Sequence, residues 1–190
     1  MTPRCTHIPT GLPAERAMAI SAGVPELRTD RLRLRAARLA DLPAWNELLV
    51  PDTAGHLGGP HDAEDAWNAF CVYVAGWALH GHGLWAVDQR DTGETLGFVH
   101  VGLEWGDAEP ELGWMFLPGA RGQGYATEAA RAARDWAFDE GGLQTLVSYV
   151  HPDNTASAAL ARRLGAAPDA QNHYDLPGAI AFTHRPEALQ

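Results

Sequence analysis

Between an apolar run that ends at Leu117 and a helical run of small residues that starts at Ala126, the chain reads Arg121-Gly122-Gln123-Gly124-Tyr125-Ala126. Glycine at two alternate positions lets backbone N–H groups converge on a ligand, because neither Gly122 nor Gly124 carries a Cβ. The helix that follows adds its unpaired N–H groups and positive dipole end, and Arg121 adds a full charge, so the natural occupant is a pyrophosphate. Taken on the two glycines alone, a turn that merely reverses the chain explains the residues as well. Two other phosphate loops do not fit. A P-loop needs a lysine, and none stands here; the dinucleotide fingerprint needs a third glycine where Thr127 stands.

The rest of the pattern supplies the frame around that junction. Arg31-Leu32-Arg33-Leu34-Arg35 alternates as a half-buried strand does, and Asp41 is placed to cap a helix with an apolar stripe of Leu42, Trp45, Leu48 and Leu49. Gly55, Gly58, Gly59 and Pro60 break the chain. A second helix starts near Asp62, with Trp67, Phe70, Cys71, Val74, Trp77 and Ala78 on a face large enough to demand burial. Runs at 84–88, 95–103 and 112–117, separated by turn residues, predict an antiparallel meander. After Pro118 the period changes to that of a helix, through Ala129, Ala130, Ala133, Trp136 and Ala137. A strand over 143–150, a helix over 154–164 and a late strand over 179–183 follow. The expected architecture is α/β, with a mixed sheet that is antiparallel first and carries a βα unit in its second half.

Composition narrows the partners. At 190 residues, 46% hydrophobic, the chain suits one domain, expected over residues 26–190 behind a flexible, extended lead-in at 1–25 marked by Pro3, Pro9, Gly11, Pro13 and Pro25. A formal charge of −10 argues against nucleic acid, and no apolar run approaches the roughly 20 residues of a membrane span. Two cysteines, Cys5 and Cys71, offer no disulfide framework, so a reducing, cytoplasmic setting is the simpler expectation. His80-x-His82 and the histidines at 56 and 61 lack metal-ligand spacing, so no metal is expected.

Three ordered blocks then resemble one family. Glu111-Leu112-Gly113-Trp114, Pro118 and Arg121-x-x-Gly124-x-Ala126-Thr127-Glu128-Ala129 look like the acetyl-coenzyme A motif of the GNAT acetyltransferases. The likeness is greatest to the branch that acetylates ribosomal-protein N-termini (RimJ/RimL-like). Asn154-x-x-Ser157-x-x-Leu160 with Leu164-Gly165 resembles that branch's later strand-helix segment, and Leu27 to Leu42 its opening. Ala166 stands where the branch carries an aromatic residue, and the stretch from Ala167 to Gly178 departs from its pattern.

The resemblance implies a GNAT fold: a mixed, mostly antiparallel sheet flanked by helices, with the cofactor bound at a splay between two strands. It implies acetyl-coenzyme A as cosubstrate, with the pyrophosphate on Arg121, Gly122, Gln123, Gly124, Tyr125 and Ala126, the pantetheine arm on the backbone of Met115 and Phe116, and Asn154 on the arm's other side. Asn154 equally suits a helix N-cap. The acceptor is then a primary amine, either a protein N-terminus or a small molecule, attacking directly in a ternary complex. An α-amine with pKa near 7.7–8.0 loses its proton at pH 7 for roughly 1 kcal/mol, a lysine near 10.4 for over ~4 kcal/mol. Glu111 resembles the position of the superfamily's general base, with Glu109, Glu104, His100 and water as competitors. Backbone N–H near Phe116 would serve the developing oxyanion. Ser157 matches the branch's hydroxyl donor to the leaving thiolate, with Tyr149 and Tyr125 as fallbacks. Monomer and homodimer both remain open. So do transfer of a longer acyl group near Trp114 and Phe116, and a noncatalytic sensor of acetyl-coenzyme A or another metabolite.

Overall fold

The structure is a computed structural model that describes residues 3–57, 59–170 and 178–186. Among these residues eight strands form one open sheet: β1 (Leu27–Arg28), β2 (Leu32–Ala36), β3 (Leu84–Gln89), β4 (Thr95–Gly102), β5 (Glu111–Phe116), β6 (Leu146–Val150), β7 (Ala167–Pro168) and β8 (Ile180–His184). Their order is β1-β2-β3-β4-β5-β6-β8-β7, and every neighbouring pair is antiparallel except β5–β6. The expected meander is therefore present. The late strand is β8, which lies between β6 and the two-residue β7. Five helices accompany the sheet: α1 (Leu12–Ser21), α2 (Leu42–Leu49), α3 (Ala63–Leu79), α4 (Tyr125–Asp139) and α5 (Thr155–Arg163). This is the mixed, mostly antiparallel sheet flanked by helices that the resemblance implied.

Strand alternation sends side chains to two cores. Leu32, Leu34, Trp85, Val87, Val99, Val101, Leu112 and Phe116 meet α4, whose Ala129, Ala130, Ala133 and Ala137 are all fully buried. Their methyl groups let the helix lie close to the sheet, which a row of leucines would prevent. Leu84, Ala86, Phe98 and Met115 meet α2 and α3 on the opposite face, around Trp45. Trp45 is fully enclosed, its indole N–H donates to Ala66 O at 2.8 Å, and Phe70 and Phe98 meet it edge-on.

Three readings change in detail. Asp41 precedes α2 but its carboxylate does not cap that helix; it accepts from the Arg38 N–H at 2.8 Å and from the Arg35 guanidinium, which also binds Asp88 at 2.6 Å. A nearly buried arginine flanked by two carboxylates outcompetes a cap. The face of α3 is only partly enclosed. Ala66 and Phe70 are buried, Trp77 packs edge-on against Trp85 and Trp136, and Ala78 is exposed. The lead-in, expected to be extended, forms a ten-residue helix with no buried residue, α1, entered by Gly11 at φ 60°. Pro13 falls in its first turn, where a missing N–H costs nothing. Of the divergent stretch from Ala167 to Gly178, positions 171–177 lie outside the described residues, as does Gly58.

Candidate functional site

The chemistry available to this chain follows from the parallel pair. β5 and β6 share one register point, Glu111 opposite Val147, where the Val147 N–H donates to Pro110 O at 2.9 Å. Beyond it the ladder stops. Ser148 Oγ donates to the Leu112 carbonyl at 2.6 Å and lies 3.0 Å from Nε2 of the buried His184, so a side chain takes the place of the next backbone bond. Burial, aided by the charge of Arg134, pulls His184 down to about 4, and the ring is neutral in this setting.

Residues of β5 alternate the direction of their backbone groups. The Leu117 N–H reaches Leu96 O, toward β4, whereas Leu112 O and Phe116 O face the β6 side, where Ser148 and Arg121 Nε (2.9 Å) bind them. The same alternation turns the N–H groups of Trp114 and Phe116 into the gap and those of Met115 toward β4, where it pairs with Phe98. Of the two residues expected to offer backbone groups there, Phe116 faces the gap and Met115 faces β4. Met115 still borders the cleft.

At the mouth of this gap the glycine junction takes the form its composition required. Gly122 and Gly124 have φ of 74° and 82°, and Gly124 is the left-handed N-cap residue of α4, with no side chain capping the helix. The first N–H groups of α4 are left for another acceptor. Gln123 turns away, its side-chain amide donating to Gly119 O at 2.8 Å, and Tyr125 is buried under the Arg31 guanidinium, 4.5 Å from the ring centre. Arg31 also donates to Gln123 O at 3.0 Å and pairs with Glu128 at 2.6 Å, which ties β2 to the loop. Burial raises the Glu128 carboxyl, but hydrogen bonds from Thr29 and Arg31 overcome this and hold it below its usual value. Arg121 has no carboxylate partner among the described residues.

The opposite wall is the start of α5. Asn154 is its N-cap, with Oδ1 accepting from the Ser157 N–H at 3.1 Å, so the capping role is filled while Asn154 still lines the cleft. Ser157 stands one turn in. The Trp114 indole N–H donates to its Oγ at 3.3 Å. That bond occupies an acceptor site of the hydroxyl and leaves its proton available. Loop, splay and α5 enclose a cleft of about 1430 Å³ whose lining includes Trp114, Phe116, Arg121, Gly124, Asn154 and Ser157.

Glu111 does not share that cleft. It lies on the β5 face occupied by Gly113 and Met115, whereas Leu112, Trp114 and Phe116 point to the α4 side. Around it are His100 Nε2 at 3.7 Å, the Glu104–Asp107 turn, and Tyr149, pushed up to about 12 by burial and by the charges of Asp107, Glu111 and Glu109. Asp107 is raised too, chiefly by burial. The two candidate catalytic groups therefore approach the splay from opposite faces. Tyr125, one of the fallback donors, lines the cleft with its ring face covered by the Arg31 guanidinium.

Two contributors escaped the sequence reading. The hold of Trp114 on Ser157 has no local signal, since the residues are 43 apart; Arg31 looked like one strand residue among five. No group of three or more His, Cys, Asp or Glu capable of holding a metal occurs among the described residues.

Comparison with known proteins agrees with this geometry. Residues 31–167 match the model of the acetyltransferase (GNAT) domain. A crystal structure of an acetyltransferase from Agrobacterium tumefaciens strain C58 superposes with a TM-score of 0.83 at 40% identity, covering 86% of this chain and 95% of that one. The Bacillus subtilis (strain 168) protein YkkB is 32% identical over 145 residues, 74% of this chain and 84% of its own. RimL, a ribosomal L7/L12 alpha-N-protein acetyltransferase solved with coenzyme A, shares the fold at a TM-score of 0.69 and 20% identity, with 86% and 99% of the chains covered. Splayed strands, a glycine junction at a helix N-terminus and these matches lead to one conclusion: the chain belongs to the GNAT family of acetyltransferases.

Proposed function

We propose that this acetyltransferase moves the acetyl group of acetyl-coenzyme A to a primary, cationic amine by direct attack. The observation that carries the reading is the splay itself, where backbone groups of Trp114 and Phe116 face a gap that opens onto the uncapped N-terminus of α4. The fit to the donor is specific. The strand edge suits the amides of a pantetheine arm, the junction 121–126 with Arg121 suits its pyrophosphate, and the free amide N–H of Asn154 suits the arm's far side. Ser157, its oxygen held by Trp114, donates to the leaving sulfur, and the Phe116 N–H meets the developing oxyanion.

On the other face Glu111 takes the amine's proton, directly or through water. The acidic setting of Glu104, Asp107 and Glu109 favours a cation on that side. RimL acts on a protein α-amine, which supports the acceptor class without fixing it. A thiol-release screen with acetyl-coenzyme A over peptide N-termini, polyamines, amino acids and aminoglycosides tests the proposal. Acetylated amine in step with thiol supports it, and tight binding without transfer to any amine leaves a sensor.

A further inference from the structure

A histidine buried with both ring nitrogens idle calls for a reason. His100 is only 5% exposed, and neither Nδ1 nor Nε2 has a hydrogen-bond partner among the described residues. Its ring is clamped. Tyr73 of α3 packs against one side with its ring tilted, 4.4 Å between centres, and the imidazole lies over Gly113, its direct partner on β5. A Cβ at Gly113 would come within 2.0 Å of the ring, so that position is glycine because the imidazole occupies the space. The clamp leaves Nε2 3.7 Å from the Glu111 carboxylate. Groups that bear on the pair are Tyr73, whose hydroxyl donates to Glu104, then Glu104 and Asp107 of the following turn, and Tyr149 of β6. A purely structural ring would be as well served by an aromatic residue with no polar atoms to bury.

We infer that His100 is the positioning and proton-holding partner of Glu111: the proton that the carboxylate takes from the acceptor amine passes to His100 Nε2. The inference rests on the reading of Glu111 as general base. An ammonium loses two protons on becoming an amide. The first goes by way of Glu111 to His100 Nε2, is held there during attack, and afterwards leaves for solvent back through Glu111, the more exposed of the two side chains. Nitrogen then attacks the carbonyl carbon, the C–S bond breaks, and the second proton reaches the thiolate with Ser157 as donor. Glu111 is thereby returned to its charged form before the C–N bond is complete, which a lone carboxylate cannot arrange as readily.

The test uses His100→Asn, Glu111→Gln and the double variant, with an acceptor on which the unmodified enzyme turns over. His100→Asn is expected to lower kcat/KM about 10- to 100-fold, the scale of a general acid–base contribution, with acetyl-coenzyme A affinity unchanged. The limiting acid slope of log kcat/KM against pH should fall from about 2 to about 1, since one required deprotonation is gone. The double variant should be within about twofold of Glu111→Gln, because groups acting as one unit are not additive. Should His100→Asn fail to fold, kcat/KM of the unmodified enzyme in H2O–D2O mixtures decides: a curved dependence supports the relay and a straight line overturns it. Losses that multiply in the double variant, or an unchanged acid slope, also overturn it. Absence of turnover in the unmodified enzyme would instead count against the amine acetyltransferase reading.

Discussion

The indole N–H of Trp114 and the hydroxyl oxygen of Ser157 stand 3.3 Å apart, joining the middle of β5 to the first turn of α5 across the gap between the splayed strands. The bond sets which way the hydroxyl can donate. With one lone pair taken, the Ser157 proton is directed to whatever enters the cleft. Ser157→Ala is expected to lower kcat about 100-fold while acetyl-coenzyme A affinity stays within about twofold, because a leaving-group donor acts in the transition state. Trp114→Phe keeps an aromatic side chain, though a smaller one, and removes the N–H; loss of that bond should cost about 1 kcal/mol, near fivefold in kcat. Steady-state kinetics with calorimetric titration separate the two effects.

Gly124→Val should abolish tight binding of acetyl-coenzyme A. The residue sits at φ 82°, and a Cβ there stands 3.4 Å from Arg31 Nη2, so valine forces the loop out of its left-handed turn. Loss of several hydrogen bonds to phosphate predicts weakening by about 3 kcal/mol, over 100-fold in Kd. Calorimetric titration of both forms checks it. Circular dichroism confirms that the variant is folded.

His184 gives the fold a specific sensitivity to acid. Its folded value of about 4 lies below the ordinary histidine value of 6.5, so the contribution is fully present above pH 6.5 and is lost as pH falls from there toward 4, when the unfolded chain takes the proton first. A shift of this size corresponds to about 3 kcal/mol. Urea melts at pH 7 and pH 4.5 should show a loss of about 2–3 kcal/mol that His184→Gln largely lacks.

Salt distinguishes the acidic turn from an idle surface. Raising ionic strength from about 0.01 to 0.15 M shortens screening from roughly 30 to 8 Å, so kcat/KM for a cationic acceptor should fall several-fold and that for a neutral one should not. Parallel assays at the two salt levels measure it. Equal responses would remove Glu104, Asp107 and Glu109 from recognition.

What the sequence disclosed was local. The glycine junction, the alternation of Leu32 and Leu34, and the alanine stripe of α4 each state their structure within a few residues, and all three are present as read. The splay was legible only through the resemblance. No residue of β5 announces that its ladder with β6 ends after Glu111, and the bond that stands in its place comes from the Ser148 hydroxyl on another strand. Asp41 illustrates the same limit from the side of energetics. As a cap it needed one neighbour, but the nearly buried Arg35 drew it into a charge cluster that no short window contains. The helix at Leu12–Ser21 was hidden by its prolines, one of which starts it.

Amine acetylation at the splay is tested most directly by thiol release from acetyl-coenzyme A with mass detection of the product, run over the amine panel on the unmodified enzyme and Ser157→Ala. The account predicts one acetyl group gained per thiol released with at least one cationic primary amine, and a rate about 100-fold lower for Ser157→Ala. Thiol release that no primary amine accelerates above simple thioester hydrolysis, despite tight acetyl-coenzyme A binding, would contradict it.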